Sequence, residues 1–256
     1  MKKTLIAMSI ASMMATPVFA ATFVNGGFED GNTNGWTTVD GFFRGGVNNT
    51  TLTPDLVLGS PAGLPRSAII TAGTIDPRVG AALGSTVQSG NFSYRVEDTT
   101  TGGFASVISQ KVLGYTDPNI FFAWKAVLLG AHGVSDAATM KITLTDNTSG
   151  LVLISRDYNA ADSGTGVDAR FSTSGGNYYT PQWQIEQLAI DASLSGHDFT
   201  LSVLAADCQP TGHWGYVYLD GFGAAPPVAG VPEPASLALV GLGLAGLLGF
   251  SRRKKA

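Results

Sequence analysis

Met140-Lys141-Ile142-Thr143-Leu144 alternates apolar and polar side chains, the period-two pattern of a strand with one face buried. Tyr94-Arg95-Val96-Glu97 repeats the pattern with charge in the second row. No long stretch between the chain's two ends shows a helical period. Short β-branched and aromatic runs recur there instead, parted by Gly, Asn, Asp, Ser and Thr. Strands are expected on these grounds at 22–24, 56–58, 68–71, 92–97, 105–113, 120–128, 139–145, 151–158, 182–190, 199–205 and 214–222. That number of strands at that spacing predicts an all-β fold, an antiparallel β-sandwich over residues 21–223. Residues 159–176, rich in Gly, Ser, Thr and Asp, read as a long surface loop.

Composition agrees with a sizeable core. The chain has 256 residues, 44% hydrophobic and 13% charged, too apolar for disorder. Its one cysteine, Cys208, excludes an internal disulfide and reads as a buried small hydrophobe, a free thiol or an intermolecular link. Both ends are basic, whereas residues 21–230 hold nine Lys or Arg against eighteen Asp or Glu, a net charge near −9. Such a surface disfavours nucleic acid and anionic lipid as partners and suits divalent cations.

The ends carry targeting information. Lys2 and Lys3, an apolar run, and Val18-Phe19-Ala20 make residues 1–20 a secretory signal cleaved after Ala20. A Pro/Ala/Gly linker at 224–230 leads to a C-terminal unit at 231–256. In that unit Val231-Pro232-Glu233-Pro234 precedes an uncharged stretch at 235–250, and Arg252-Arg253-Lys254-Lys255 follows. As a helix the uncharged stretch spans roughly 24 Å, short of the roughly 30 Å hydrocarbon core, and snorkelling basic side chains can make up the difference. The basic run stays in the cytoplasm and the body is exported. Gly241-Leu242-Gly243-Leu244-Ala245-Gly246 fits a dinucleotide-binding pattern but lacks its strand, helix and acidic partner; Gly241, Ala245 and Gly249 suit helix packing instead.

This tail resembles the PEP-CTERM sorting signal of Gram-negative bacteria. The resemblance implies that an exosortase recognises Pro232, Glu233 and Pro234, cuts off the tail after export, and leaves the body on the cell surface or in extracellular polymer. The secretion machinery and the membrane, through the tail, are the other implied partners.

The body opens with Phe23-Val24-Asn25-Gly26-Gly27-Phe28-Glu29 and Gly35-Trp36, and closes with Gly215-Tyr216-Val217-Tyr218-Leu219-Asp220-Gly221-Phe222. It resembles the galactose-binding-like jelly roll shared by many carbohydrate-binding modules. That resemblance implies a structural calcium held by Glu29 and Asp220, with backbone carbonyls near Asn25 and Gly27. Two facing carboxylates do repel unless a cation or proton joins them, and calcium requires six to eight oxygens.

Other chemistry is thin in the sequence. There is no G-x-S-x-G, H-E-x-x-H or CxxC, so neither a serine triad nor a zinc site is indicated. His213, beside Trp214 in a Gly-rich turn, reads as hydrogen-bonded scaffold, and it can pack with His132 in the similar Gly-Ala-His-Gly turn. Trp36, Trp124, Trp183 and Trp214 read as core, leaving Tyr178 and Tyr179, in a loop, as candidate sugar contacts. The expected function is non-enzymatic: an exported surface or matrix protein binding or structuring extracellular polysaccharide. A secreted hydrolase and a purely architectural protein are the alternatives.

Overall fold

The computed structural model describes residues 22–161 and 166–227. The signal at 1–20 with Ala20, the sorting unit at 231–256 with its helix at 235–250, and residues 228–230 of the linker lie outside the described residues. Among the described residues no helix is long and apolar enough to cross a membrane.

The described strands, in chain order, are β1 (Thr37–Phe43), β2 (Ala68–Thr71), β3 (Phe92–Val96), β4 (Phe104–Tyr115), β5 (Asn119–Leu129), β6 (Thr139–Asp146), β7 (Leu151–Asn159), β8 (Ser172–Ser174), β9 (Asn177–Tyr179), β10 (Gln184–Ala189), β11 (His197–Ala206) and β12 (Gly215–Gly223). They form two antiparallel sheets. One runs β1-β4-β11-β6-β7. The other runs β2-β3-β12-β5-β9-β8, with β10 also paired to β5. β10 takes the first half of β5 and β9 its last three residues.

The alternation in β6 sends Met140, Ile142 and Leu144 into the space between the sheets. Phe199, Leu201, Val203 and Ala205 of β11 and Ile120, Phe122, Trp124, Ala126 and Leu128 of β5 fill the same layer. Each such large apolar side chain contributes about 1.5–3 kcal/mol by burial. β5 and β11 show little alternation because their outer faces are covered too. On β11, Leu204 and Ala206 join Val107 and Val39 beneath Leu52 and Val57. On β5, Val127 joins Tyr216, Tyr218 and Tyr179 beneath Leu83.

Residues 56–58, expected to be a strand, lie in a short helix, α1 (Pro54–Leu58). Thr53 caps it by accepting from the Leu56 amide, and Pro54 fits its first turn. The capping signature outweighs the short apolar run Leu56-Val57-Leu58. Residues 22–24 are not a strand either. The Val24 amide and carbonyl instead pair with the Gln110 side chain at 2.7 and 2.9 Å. The expected 159–176 loop contains β8, which forms a hairpin with β9 across Gly175-Gly176, both at positive φ.

One polar cluster lies buried near the β1 end of the first sheet. The Arg66 guanidinium pairs with Glu97, with Asp98 at 2.8 Å and with Asp207 at 2.9 Å. Ser106 Oγ lies 2.6 Å from Glu97 and 2.7 Å from Asp40. The Ser106 hydroxyl accepts from the Gly41 amide at 2.9 Å and has one proton to share between the two carboxylates. Burial, against the opposing pull of Arg66, raises Glu97 to about 6.

Candidate functional site

The opening segment folds back over the end of β12. Phe28 stacks on Trp36 at 5.5 Å between centroids and on Tyr94 at 5.4 Å, and Trp36 meets the Phe222 ring at 4.8 Å. The Phe222 amide donates to the Gly26 carbonyl at 3.0 Å. Gly26 is required by this approach, since a Cβ there would lie 2.0 Å from the Phe222 oxygen.

These contacts bring Glu29 and Asp220 together around Gly27. Asp220 is fully buried; its Oδ2 accepts from the Gln88 and Ser89 amides at 2.8 and 2.9 Å, and its Oδ1 has no hydrogen-bond partner. Burial, with Glu29 as a neighbouring like charge, raises Asp220 to about 7. Glu29 accepts from the Asn91 and Phe92 amides at 3.0–3.1 Å. The Asn25 carbonyl is already taken by Phe28 N–H and Trp36 Nε1.

The segment that supplies these amides is itself pinned over the second sheet. Asp76 accepts from the hydroxyls of Tyr216 and Tyr218 at 2.8–3.0 Å. Lys125, buried and lowered to about 8 by desolvation, donates to the carbonyls of Leu83 and Ser85 at 2.7 and 2.9 Å.

A groove of about 360 Å³ crosses the outer face of the first sheet. Thr143 and Thr145 of β6, Thr200 and Ser202 of β11, and Ser155 of β7 line its floor, and the start of α1 contributes to its lining. Lys141 and Asp157, also in its lining, pair at 2.6 Å. No aromatic side chain among the described residues lines it.

The aromatic candidates are packed elsewhere. Trp36 and Trp124 are core residues, as expected. Trp183 and Trp214 are half-buried, donating to Ser85 and Asn177. Tyr178 and Tyr179 are not in a loop. They belong to β9, with Tyr178 packed against the main core and Tyr179 buried under the second sheet's cover. Cys208 is buried. His132 and His213 do pack together, with ring centroids 4.6 Å apart. Sequence spacing misses that Cys208 joins them: the three potential ligand atoms lie within 4.8 Å of one another.

Structural comparison finds sandwiches of similar extent. TmCBM61 in complex with β-1,4-galactotriose aligns over 79% of this chain and 96% of its own, with 11% identity and a TM-score of 0.40. CBM28, a carbohydrate-binding module specific for non-crystalline cellulose, aligns over 80% and 95%, with 13% identity and a TM-score of 0.38. CBM27-1 of Caldicellulosiruptor saccharolyticus, in complex with mannohexaose, aligns over 80% and 97%, with 12% identity and a TM-score of 0.34. No curated protein matches the chain in sequence. Directly behind the described body, residues 230–254 match the PEP-CTERM protein-sorting motif.

Proposed function

We propose that the chain is an exported surface or matrix protein, processed at the membrane through its tail, that binds or structures extracellular polysaccharide without catalysing a reaction. The observation that carries the export reading is the PEP-CTERM match at 230–254. In this reading residues 1–20 are removed after Ala20, residues 21–223 are the exported domain, and 224–230 space it from the membrane. An exosortase then reads Pro232, Glu233 and Pro234 while a helix at 235–250 and Arg252, Arg253, Lys254 and Lys255 hold the tail in the inner membrane. The destination is the surface or matrix of a Gram-negative cell.

The groove on the first sheet supports the polysaccharide part. Hydroxyls from three adjacent strands converge there, a set suited to hydrogen-bonding sugar hydroxyls. The lack of an aromatic platform in the groove favours a second reading, a purely architectural protein.

Glu29 and Asp220 are proposed to hold a structural calcium. The orphaned, buried Asp220 Oδ1 beside Glu29 fits an oxygen-seeking cation. With the Asn25 carbonyl committed elsewhere, the Gly27 carbonyl remains from the pair the sequence pointed to, and further backbone oxygens or water complete the shell.

Two measurements test the reading. Mass spectrometry of soluble protein from the culture exterior should find the chain ending before residue 231; peptides running to Ala256 would overturn the sorting step. Glycan binding by that protein should be lost in a Thr143→Arg/Thr200→Arg double variant. Absence of binding to any glycan by correctly folded protein would leave the architectural reading.

A further inference from the structure

We propose that His132, Cys208 and His213 form a site for one borderline-soft transition-metal ion of the zinc class, joining the ends of β5, β11 and β12. Cys208 follows β11 by two residues, His213 precedes β12 by two, and His132 lies three beyond β5. β11 belongs to the first sheet and β5 and β12 to the second, so the ion would tie the two layers at one end of the sandwich.

The turn that carries two of the ligands is built to hold them. The Cys208 amide donates to the His213 carbonyl at 3.0 Å and the Thr211 amide to the Cys208 carbonyl at 3.2 Å. Thr211 and Gly212 both sit at positive φ, +78° and +99°. Gly130 lets the third segment approach: a Cβ there would lie 2.6 Å from the His213 ring. The chain thus accepts strained backbone to close three ligand types around one point.

A second observation points to a missing partner. His213 Nδ1 is buried and makes no hydrogen bond, whereas buried polar atoms are nearly always paired. Cys208 Sγ donates to the Thr211 carbonyl at 2.8 Å. On metal binding the S–H bond breaks, the proton goes to solvent and the sulfur bonds the ion, giving up that hydrogen bond.

The donor set selects the ion. Two imidazoles and one thiolate suit zinc, cobalt(II) and copper far better than calcium or magnesium. Tetrahedral zinc places its ligand atoms roughly 3.3–3.5 Å apart, from Zn–N and Zn–S bonds of roughly 2.0–2.3 Å. The ligand atoms, now within 4.8 Å, close by up to roughly 1.5 Å. Exposed His132, on a segment bounded by Gly130 and Gly133, supplies that movement. Three protein ligands leave a fourth position for water or an external donor.

The test uses the untagged full chain in detergent, stripped with EDTA and kept reduced. Titration with zinc should give one site per chain, undisplaced by excess calcium. The cobalt(II) form should show a thiolate-to-metal charge-transfer band. His132→Ala, an exposed change that spares the fold, and Cys208→Ala should each weaken zinc binding by more than the roughly 10–100-fold cost of losing an outer-shell partner. Cys208→Ala should also abolish the charge-transfer band. Wild-type protein that binds no zinc, variants that bind it equally well, or a cobalt form without the thiolate band would each overturn the proposal.

Discussion

Glu29 and Asp220, from opposite ends of the folded body, meet around Gly27: a side chain begun at that glycine would find Glu29 Cγ and Asp220 Oδ1 each 3.6 Å away. Four backbone amides from residues 88–92 compensate the two carboxylates, yet Asp220 Oδ1 stays unpartnered. A cation bound there stabilises the fold by about 2.7 kcal/mol when free calcium is about 100 times Kd. For a domain of this size that corresponds to about 5–10 °C in Tm. EGTA should therefore lower the Tm of freshly purified protein, and calcium, not magnesium, should restore it. Asp220→Asn should abolish the response. An unchanged Tm on chelation would mean that the amides alone hold the pair.

Arg66 is the cation that Glu97, Asp98 and Asp207 share. Glu97 and Asp207 are fully buried, so removing the guanidinium leaves carboxylates stranded in a poorly solvated interior. Arg66→Met should cost about 3–5 kcal/mol, the usual penalty for breaking a buried ion pair from one side. Urea denaturation reads this as a drop in midpoint at constant m-value. Adding Glu97→Gln to Arg66→Met should recover part of the loss. A single-variant cost below about 1 kcal/mol would show that protons, not Arg66, neutralise the cluster.

Lys125 connects the second sheet to the amides that bind Glu29 and Asp220. Its ammonium satisfies the Leu83 and Ser85 carbonyls, and the chain runs on from there to Gln88 and Ser89. Lys125→Met keeps the packing volume but leaves the Leu83 carbonyl short of a donor, while the Ser85 carbonyl keeps Trp183 Nε1, a loss of about 1–3 kcal/mol. Hydrogen exchange at 83–91 should speed up more than exchange in β6 or β11. Uniform acceleration across the sandwich would show that the lysine serves overall stability alone.

Most of the sandwich is legible in the sequence because strands with one wet face alternate. Met140 to Leu144 betrays β6 directly, and β-branched runs betray β4, β5 and β11 even where both faces are covered. β1 escapes because Asp40-Gly41 reads as a turn. Gly41 does sit at positive φ, and the strand continues past a register shift between Val39 and Phe42. β8 and β9 escape because they are three residues each and hide in polar sequence, although Gly175-Gly176 carried the hairpin signal. The acid pair is legible only through the resemblance of the two chain ends. The His132, Cys208 and His213 cluster has no local spacing to read, since three strand ends from two sheets create it.

Asp146 links the β6–β7 turn to the start of β11. Its carboxylate accepts from the Thr148 and Ser149 amides at 2.9 and 3.3 Å, from Ser149 Oγ at 2.5 Å, and meets His197 Nδ1 at 2.9 Å. Desolvation alone would raise this group, but the hydrogen bonds from Ser149, His197 and Thr148 outweigh it and hold Asp146 down at about 2. An aspartate in the unfolded chain titrates near 4 (about 3.9). A carboxylate depressed by folding gives its full stabilisation above the unfolded value, and loses it as pH falls through the folded one. Asp146→Asn keeps an oxygen for the turn amides and removes the charge. Its Tm should lie below that of the parent at neutral pH, and the gap should narrow as pH falls from about 4 to about 2. Taking the difference between the two proteins cancels the other acids that titrate in the same range. A gap that stays constant across the window would show that the aspartate acts there only as a neutral acceptor.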